Sequence, residues 1–191
     1  LAGRIRGNHS VYFGYESNLN AAGVNNAAFG TGTLRSNATG NNNAAFGSGA
    51  LSSNVSGSFN TGIGNGALTS NTTGGRNVAV GESASHENTI GAGNVSVGSQ
   101  ASYSNTSGNN NSSMGSRALF NNITGLNNTA IGSGAIAGIK TGNNNTALGQ
   151  AAGVFAEGGN NNLFLGSYNG GEYAQYFTGQ IGIIRLYKKA L

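Results

Sequence analysis

The feature of this sequence that most constrains its fold is a repeat with a seventeen-residue period. A glycine that follows a large apolar residue recurs once in every period from Gly30 to Gly166, and Gly14 precedes Gly30 by one position less than a full period. A second glycine series keeps the same step from Gly23 to Gly159. A fixed internal period is typical of architectures that stack one structural unit on the next.

The length of the repeat unit distinguishes a helical repeat from a β repeat. Helical repeats need two helices and about 33 residues or more. Each unit here also carries at least two glycines, and each glycine costs about 1 kcal/mol inside a helix. The sequence therefore predicts an all-β fold, a parallel β-solenoid (β-roll) of about ten 17-residue coils over residues 8–166. We expect residues 1–7 to be an N-terminal lead-in and residues 167–191 to be a C-terminal non-repeat strand or cap.

Two more positions of the repeat hardly vary, and stacked coils would align each of them in a row. The fourth position before each glycine is asparagine, which predicts an Asn ladder whose amides bond to one another and to turn backbone. Its members are Asn26, Asn43, Asn60, Asn77, Asn94, Asn111, Asn128, Asn145 and Asn162. The position directly before the glycine is always large and apolar. Its members are Phe29, Phe46, Ile63, Val80, Val97, Met114, Ile131, Leu148 and Leu165, with Phe13 one copy earlier.

The strand before each glycine is predicted to have two unlike faces. Side chains alternate along a strand, so Ile131 and Thr129 point one way and Ala130 the other. The row of Ala130 is small and mostly apolar, which indicates a smooth outer face against which another chain packs. One coil supplies only about two large apolar side chains, so a single rod has little core to stabilise it. We therefore expect solenoids to lie side by side in a homotrimer, with a monomeric rod as the alternative.

The sequence offers few residues for catalysis or metal binding. It has no cysteine, and its five acidic residues are all glutamates. One local concentration, Glu82, His86 and Glu87, is a weak candidate for a metal site. The glycines recur in every coil, unlike a phosphate-binding loop between one strand and one helix. We expect no enzymatic activity and no cofactor.

Charge and hydropathy limit the partners. The nine Lys and Arg residues are scattered, with one cluster at Arg185, Lys188 and Lys189. No basic stripe with interleaved aromatic residues is present, so we expect no nucleic-acid partner. No apolar run approaches the roughly 18 residues of a membrane helix, so we expect no membrane contact within this segment.

The repeat also resembles known families. Copies such as NNTAIGSGAIAGIKTG (127–142) and FNTGIGNGALTSNTTG (59–74) resemble the NTAIG, GAL and NTTG repeats of phage tail fibres and bacterial surface proteins. With a longer coil, they are similar to the head repeats of trimeric autotransporter adhesins. This resemblance implies a left-handed β-roll that trimerises. The segment YFTGQIGIIRLYKKAL (176–191) resembles the last strand of a laminin-G-like jelly roll. It is expected either to cap the rod as a single strand or to be the remnant of a trimmed or borrowed module.

These observations lead to an expected function. It is a structural, non-enzymatic fibre or knob segment of an exposed appendage, namely a phage virion fibre or spike involved in host attachment. A trimeric bacterial surface adhesin is the alternative. An ice-binding solenoid is a third, but Ile90 interrupts the row of Thr73, Thr124 and Thr141. Expected partners are further copies of the chain, other virion or appendage proteins, and a host-surface receptor or glycan, at the virion surface or outside the cell.

Overall fold

The protein is an all-β parallel solenoid. The computed structural model describes residues 4–6, 9–18 and 22–166. Their strands form one 11-stranded sheet in which the strand order is the sequence order. The strands are β1 (Arg4–Arg6), β2 (Ser10–Phe13), β3 (Ala27–Phe29), β4 (Ala44–Phe46), β5 (Thr61–Ile63), β6 (Val78–Val80), β7 (Val95–Val97), β8 (Ser112–Met114), β9 (Thr129–Ile131), β10 (Thr146–Leu148) and β11 (Leu163–Leu165). The predicted fold class is confirmed.

The register of the sheet follows the sequence period. Parallel partners from β3 onwards are one full period apart in the sequence, as Ala44 and Thr61 are. Val11 pairs with Ala27, which is one position closer than a full period, because the first copy is shorter than the others. Strand β1 adds to β2 in the antiparallel direction. Ten parallel strands at a spacing of about 4.8 Å make a rod roughly 45 Å long.

Each coil contains one short strand, and turns make up the rest. The turns are nevertheless bonded to the next coil as a strand would be. The Leu51 N–H donates to the Ala67 carbonyl at 3.0 Å, and the Val55 N–H donates to the Thr72 carbonyl at 2.9 Å. Backbone hydrogen bonds therefore join successive coils around the whole circumference.

Besides buried asparagines, three rows of mainly small or apolar side chains lie in the interior. One is the small row on the strand, in which Ala28 and Ala45 are fully buried. The second is the alanine row three positions after the glycine. The third, one position further on, consists of Leu34, Leu51, Leu68, Ser85, Ser102, Leu119 and Ile136. Leu51 has a φ of 53°, in the left-handed region that costs an ordinary residue about 1–2 kcal/mol, and its buried side chain and interstrand bonds hold it there.

The expectation that the small row faces outwards was wrong. In β3 to β5 and in β7 to β10 the middle residue is buried and the third is exposed, so the large apolar row lies outside. The reason is that the leucine row already occupies the interior. A Cβ on Gly62 would lie 3.4 Å from Leu51 Cγ, so only small residues fit opposite the leucines.

Within the described residues, no helix is long and apolar enough to cross a membrane. The predicted C-terminal strand or cap at 167–191 lies outside the described residues.

Candidate functional surfaces

The largest functional candidate is an outward row of large apolar side chains, which we name the apolar ridge. It consists of Phe13, Phe29, Phe46, Ile63, Val80, Val97, Met114, Ile131, Leu148 and Leu165. Exposure along the ridge is even, from 37% at Phe29 to 46% at Met114, with Val80 half-buried. The ridge therefore runs the whole length of the parallel sheet without a polar interruption.

The ridge is aromatic at one end and aliphatic over the rest. The rings of Phe13 and Phe29 stack with centroids 5.2 Å apart, and those of Phe29 and Phe46 stack at 5.0 Å. Stacking fixes these rings in one orientation, because each is held between its neighbours along the rod. The aromatic end of the ridge is thus a preformed surface rather than a set of independent side chains.

The asparagines four positions before the glycine are buried and bond mainly to backbone. Asn26 Oδ1 accepts from the Asn43 backbone N–H at 2.9 Å, and Asn26 Nδ2 donates to the Gly40 carbonyl at 2.9 Å. From Asn94 onwards the row also has amide-to-amide bonds. Asn94 Nδ2, for example, donates to Asn77 Oδ1 at 3.2 Å. From Asn26 to Asn145 both ends of each amide serve turn backbone, which explains the row without any ligand.

A second asparagine row, seven positions after the glycine, is the more regular amide ladder. It consists of Asn37, Asn54, Asn71, Asn88, Asn105 and Asn122. From Asn54 onwards each Nδ2 donates to the Oδ1 of the preceding member, as Asn71 does to Asn54 at 2.7 Å, and to the carbonyl of a nearby glycine in its own coil. The sequence shows the spacing of this row, but we predicted the Asn ladder at the row that runs from Asn26 to Asn162.

The second ladder stops at Ile139. This residue takes the next position of the row and is fully buried. Asn122 Oδ1 consequently lies buried without a hydrogen-bond partner. A buried amide oxygen that lacks a donor costs about 1–3 kcal/mol, so the end of the ladder is a local weak point.

The candidate metal residues Glu82, His86 and Glu87 do not form a metal site. Among the described residues, no three His, Cys, Asp or Glu side chains are grouped so that they could hold an ion. Both glutamates are exposed, and the His86 ring instead stacks on Tyr103 with centroids 5.0 Å apart. Tyr103 stacks in turn on Phe120, and the Arg117 guanidinium lies 4.4 Å from the centroid of the Phe120 ring.

This ring column follows a change in the core. Ser85 and Ser102 precede His86 and Tyr103 and stand where most other coils have leucine. The two coils that have serine in the leucine row thus carry stacked rings at the next position, where they are half-buried. The arrangement stabilises neighbouring coils and places no reactive group beside another.

A surface cavity of about 410 Å³ lies near the end of the described solenoid. Its lining is Asn121, Gly138, Lys140, Val154, Phe155 and Glu157. Its lining includes one cation, Lys140, and one carboxylate, Glu157, but no hydroxyl, thiol or imidazole.

Comparison of the chain with family models, curated proteins and solved structures gave no match. The class of protein is therefore defined by the fold alone, as a β-solenoid repeat protein with one short strand in each coil. Its most extensive exposed feature is the apolar ridge.

Proposed function

We propose that this chain is a structural module, a stiff rod segment of an exposed appendage, in which copies associate side by side as a homotrimer through the apolar ridge. The ridge is the single observation that carries the proposal. The virion assignment, as part of a phage fibre or spike that contributes to host attachment, rests on the likeness of the repeat to those of phage fibres. Other virion or appendage proteins and a host-surface receptor or glycan are the further partners of this role.

The exposed area of the ridge supports self-association. Ten side chains of about 150–200 Å² each, exposed by roughly 40%, leave about 600–800 Å² of apolar surface uncovered. The largest apolar patch of a typical monomer covers about 300–600 Å². A stable interface buries about 800 Å² on each partner. The ridge thus exceeds what a monomer ordinarily exposes and approaches what an interface needs.

The shape of the ridge supports a second copy as the occupant. It is straight, narrow and repeated at every coil, so the surface that matches it along its full length must have the same repeat. A three-fold axis parallel to the rod would place three ridges in one common core. Each rod would then gain the second hydrophobic core that its thin interior lacks.

The mechanical part of the proposal rests on the bonding between coils. Backbone hydrogen bonds and the buried asparagine rows join each coil to the next. Bending the rod would stretch several of these bonds at once, which opposes local opening. Such a rod can hold a contact surface away from the particle that bears it.

The test is the mass of the full chain in solution by light scattering at tens of micromolar. We expect three times the 19.0 kDa of one chain. Ile131→Glu, which places a charge on the ridge, should yield a species of 19.0 kDa with an unchanged circular dichroism spectrum. Thr141→Glu, at an exposed turn position, is the matched control and should leave the trimer intact.

Wild-type protein that stays at 19.0 kDa would contradict the proposal and would indicate that a different protein covers the ridge. A stable dimer would contradict the trimer alone. An Ile131→Glu variant that remains trimeric would show that the ridge is not the interface.

A further inference from the structure

The two ends of the ridge strands carry an unusual distribution of charge. From β3 to β10, the residue two positions before the strand and the residue two positions after it form two flanking rows. The first row is Asn25, Asn42, Phe59, Arg76, Gly93, Asn110, Asn127 and Asn144, and the second is Thr31, Ser48, Asn65, Glu82, Ser99, Ser116, Ser133 and Gln150. In these two rows the charged residues are Arg76 and Glu82. They have opposite signs and flank the same strand, β6.

Neither charge is neutralised within the described part of the chain. The ion pair found there joins Arg35 to Glu16 at 3.4 Å. The Arg76 guanidinium lies 5.9 Å from the centroid of the Phe59 ring, and both Arg76 and Glu82 are exposed. Each therefore remains free to meet an opposite charge on another molecule.

The symmetry of the assembly decides whether Arg76 of one copy meets Glu82 or Arg76 of the next copy. A rotation axis parallel to the rods keeps the rods parallel and at the same height, and it brings opposite ends of neighbouring strands together: a two-fold axis reverses the strand direction, and the proposed three-fold axis turns it by 120°. The Arg76 end of β6 then meets the Glu82 end of the partner's β6 at the same height. A two-fold axis along the strands makes the rods antiparallel and brings the two Arg76 ends together, where like charges oppose association.

The apolar ridge cannot by itself select one of these arrangements. Its side chains are similar from coil to coil, so sliding one rod by one coil exchanges one apolar contact for another. Such a slide would, however, move Arg76 opposite Asn65 or Ser99, which are uncharged. The flanking charges therefore provide the alignment signal that the ridge lacks.

We infer that copies of this chain pack parallel and in register, with Arg76 of each copy paired to Glu82 of the partner subunit across the ridge. The inference rests on the proposed self-association and adds its direction and its register. The two charges act on specificity, while the apolar ridge supplies the buried area.

The absence of cysteine from the sequence allows a direct test by disulfide formation between full-length chains. Chains with Arg76→Cys are refolded together with chains carrying Glu82→Cys, and the products are separated by mass under non-reducing conditions. The expected product joins one chain of each kind, while either variant alone gives none. Asn127→Cys with Ser133→Cys, which flank β9, should behave in the same way.

The register control combines Arg76→Cys with Ser133→Cys. These positions flank strands that are three coils apart, about 14 Å along the rod, so they should not join when the rods are in register. A disulfide in the Arg76→Cys variant alone would show antiparallel rods and overturn the inference. A better yield from the offset pair than from the matched pair would overturn the register.

Charge reversal gives an independent measurement. Arg76→Glu and Glu82→Arg should each raise the dissociation constant of the oligomer by about tenfold, because each puts like charges opposite one another. The double variant Arg76→Glu/Glu82→Arg should return it to the wild-type value. Lys140→Glu, which changes the charge at an exposed position away from the strand ends, is the control and should have little effect.

The outcomes separate this inference from the proposed function. A wild-type chain that stays monomeric and forms no disulfide in any mixture overturns both. A wild-type oligomer that ignores both charge reversals, or that joins through Arg76→Cys alone, overturns the inference and leaves the structural role standing.

Discussion

The hydroxyl of Ser85 donates to the hydroxyl of Ser96 across the core at 2.8 Å. The same sequence offset relates Ser102 to Ser113, whose hydroxyl oxygens are 2.9 Å apart. Each pair joins the leucine row of one coil to the small row of the next coil. Where the leucine is lost, the residue facing it has become a serine, so that neither hydroxyl is buried without a partner.

The same separation of 11 residues relates the leucine row to the small row near the end of the rod, where the large and the small residue have exchanged rows. Gly153 stands in the leucine row, and a Cβ there would lie 2.7 Å from Cγ of Phe164 in the small row. Leu51 and Gly62 show the usual arrangement, with the large residue on the other side. Because the interior is thin, a large residue in one of these two rows is matched by a small residue in the other.

The serine pair predicts a stabilising double substitution. Ser85→Leu with Ser96→Ala reproduces the arrangement of Leu68 and Ala79, which are both fully buried. We expect an increase of about 1–2 kcal/mol in the free energy of unfolding, because a leucine side chain is buried without leaving a hydroxyl unpaired. Urea unfolding followed by circular dichroism measures the change.

One of the two single variants tests whether the two hydroxyls depend on each other. Ser96→Ala alone should lower the free energy of unfolding by about 1–3 kcal/mol, since it leaves the Ser85 hydroxyl buried without a partner. Independent, additive effects of the two substitutions would show that the hydroxyls are not coupled.

The second asparagine ladder predicts a difference between its middle and its end. Asn71 donates to Asn54 and accepts from Asn88 at 2.8 Å, whereas Asn122 Oδ1 accepts from no residue. Asn71→Ala should therefore cost about 1–3 kcal/mol more than Asn122→Ala, because it leaves a buried donor as well as a buried acceptor unpaired. Equal losses in thermal or urea unfolding would contradict a role for the amide-to-amide bonds.

Two neighbouring glycines predict very different tolerance to alanine. A Cβ on Gly132 (φ 130°) would overlap the carbonyl group of Gly149 in the next coil. On Gly134 (φ 67°) its nearest neighbour would be Ala151 Cα at 4.0 Å. We expect Gly132→Ala to lower the free energy of unfolding by about 3 kcal/mol or more, and Gly134→Ala by about 1 kcal/mol.

The reason for the smaller effect is visible in the same row. Ser83, Gln100, Arg117 and Ala151 take the position of Gly134 in other coils with φ between 52° and 57°. Unfolding free energies for both variants, with the circular dichroism of the folded state as a check, decide the comparison. An intact, equally stable Gly132→Ala protein would contradict the close stacking of the coils.

The period of the sequence determined the strand pairing. Parallel partners must be one period apart once equivalent residues stack, and the shorter first copy places Val11 opposite Ala27, one position short of that distance. The all-β class and the alignment of the asparagine rows follow from the same spacing. These features depend on the order of residues alone, because a stacked coil has only one way to repeat.

Which strand face lies inside was decided by the tertiary structure. Both faces of the strand are largely apolar, so alternation could not identify the inner one. The closed path of the coil turns Leu51 inwards through a left-handed backbone at φ 53°, and the space left opposite admits only residues as small as Gly62. Ile131 is thereby forced outwards, although it is more apolar than the alanine beside it, because the width of the coil limits the volume of its interior.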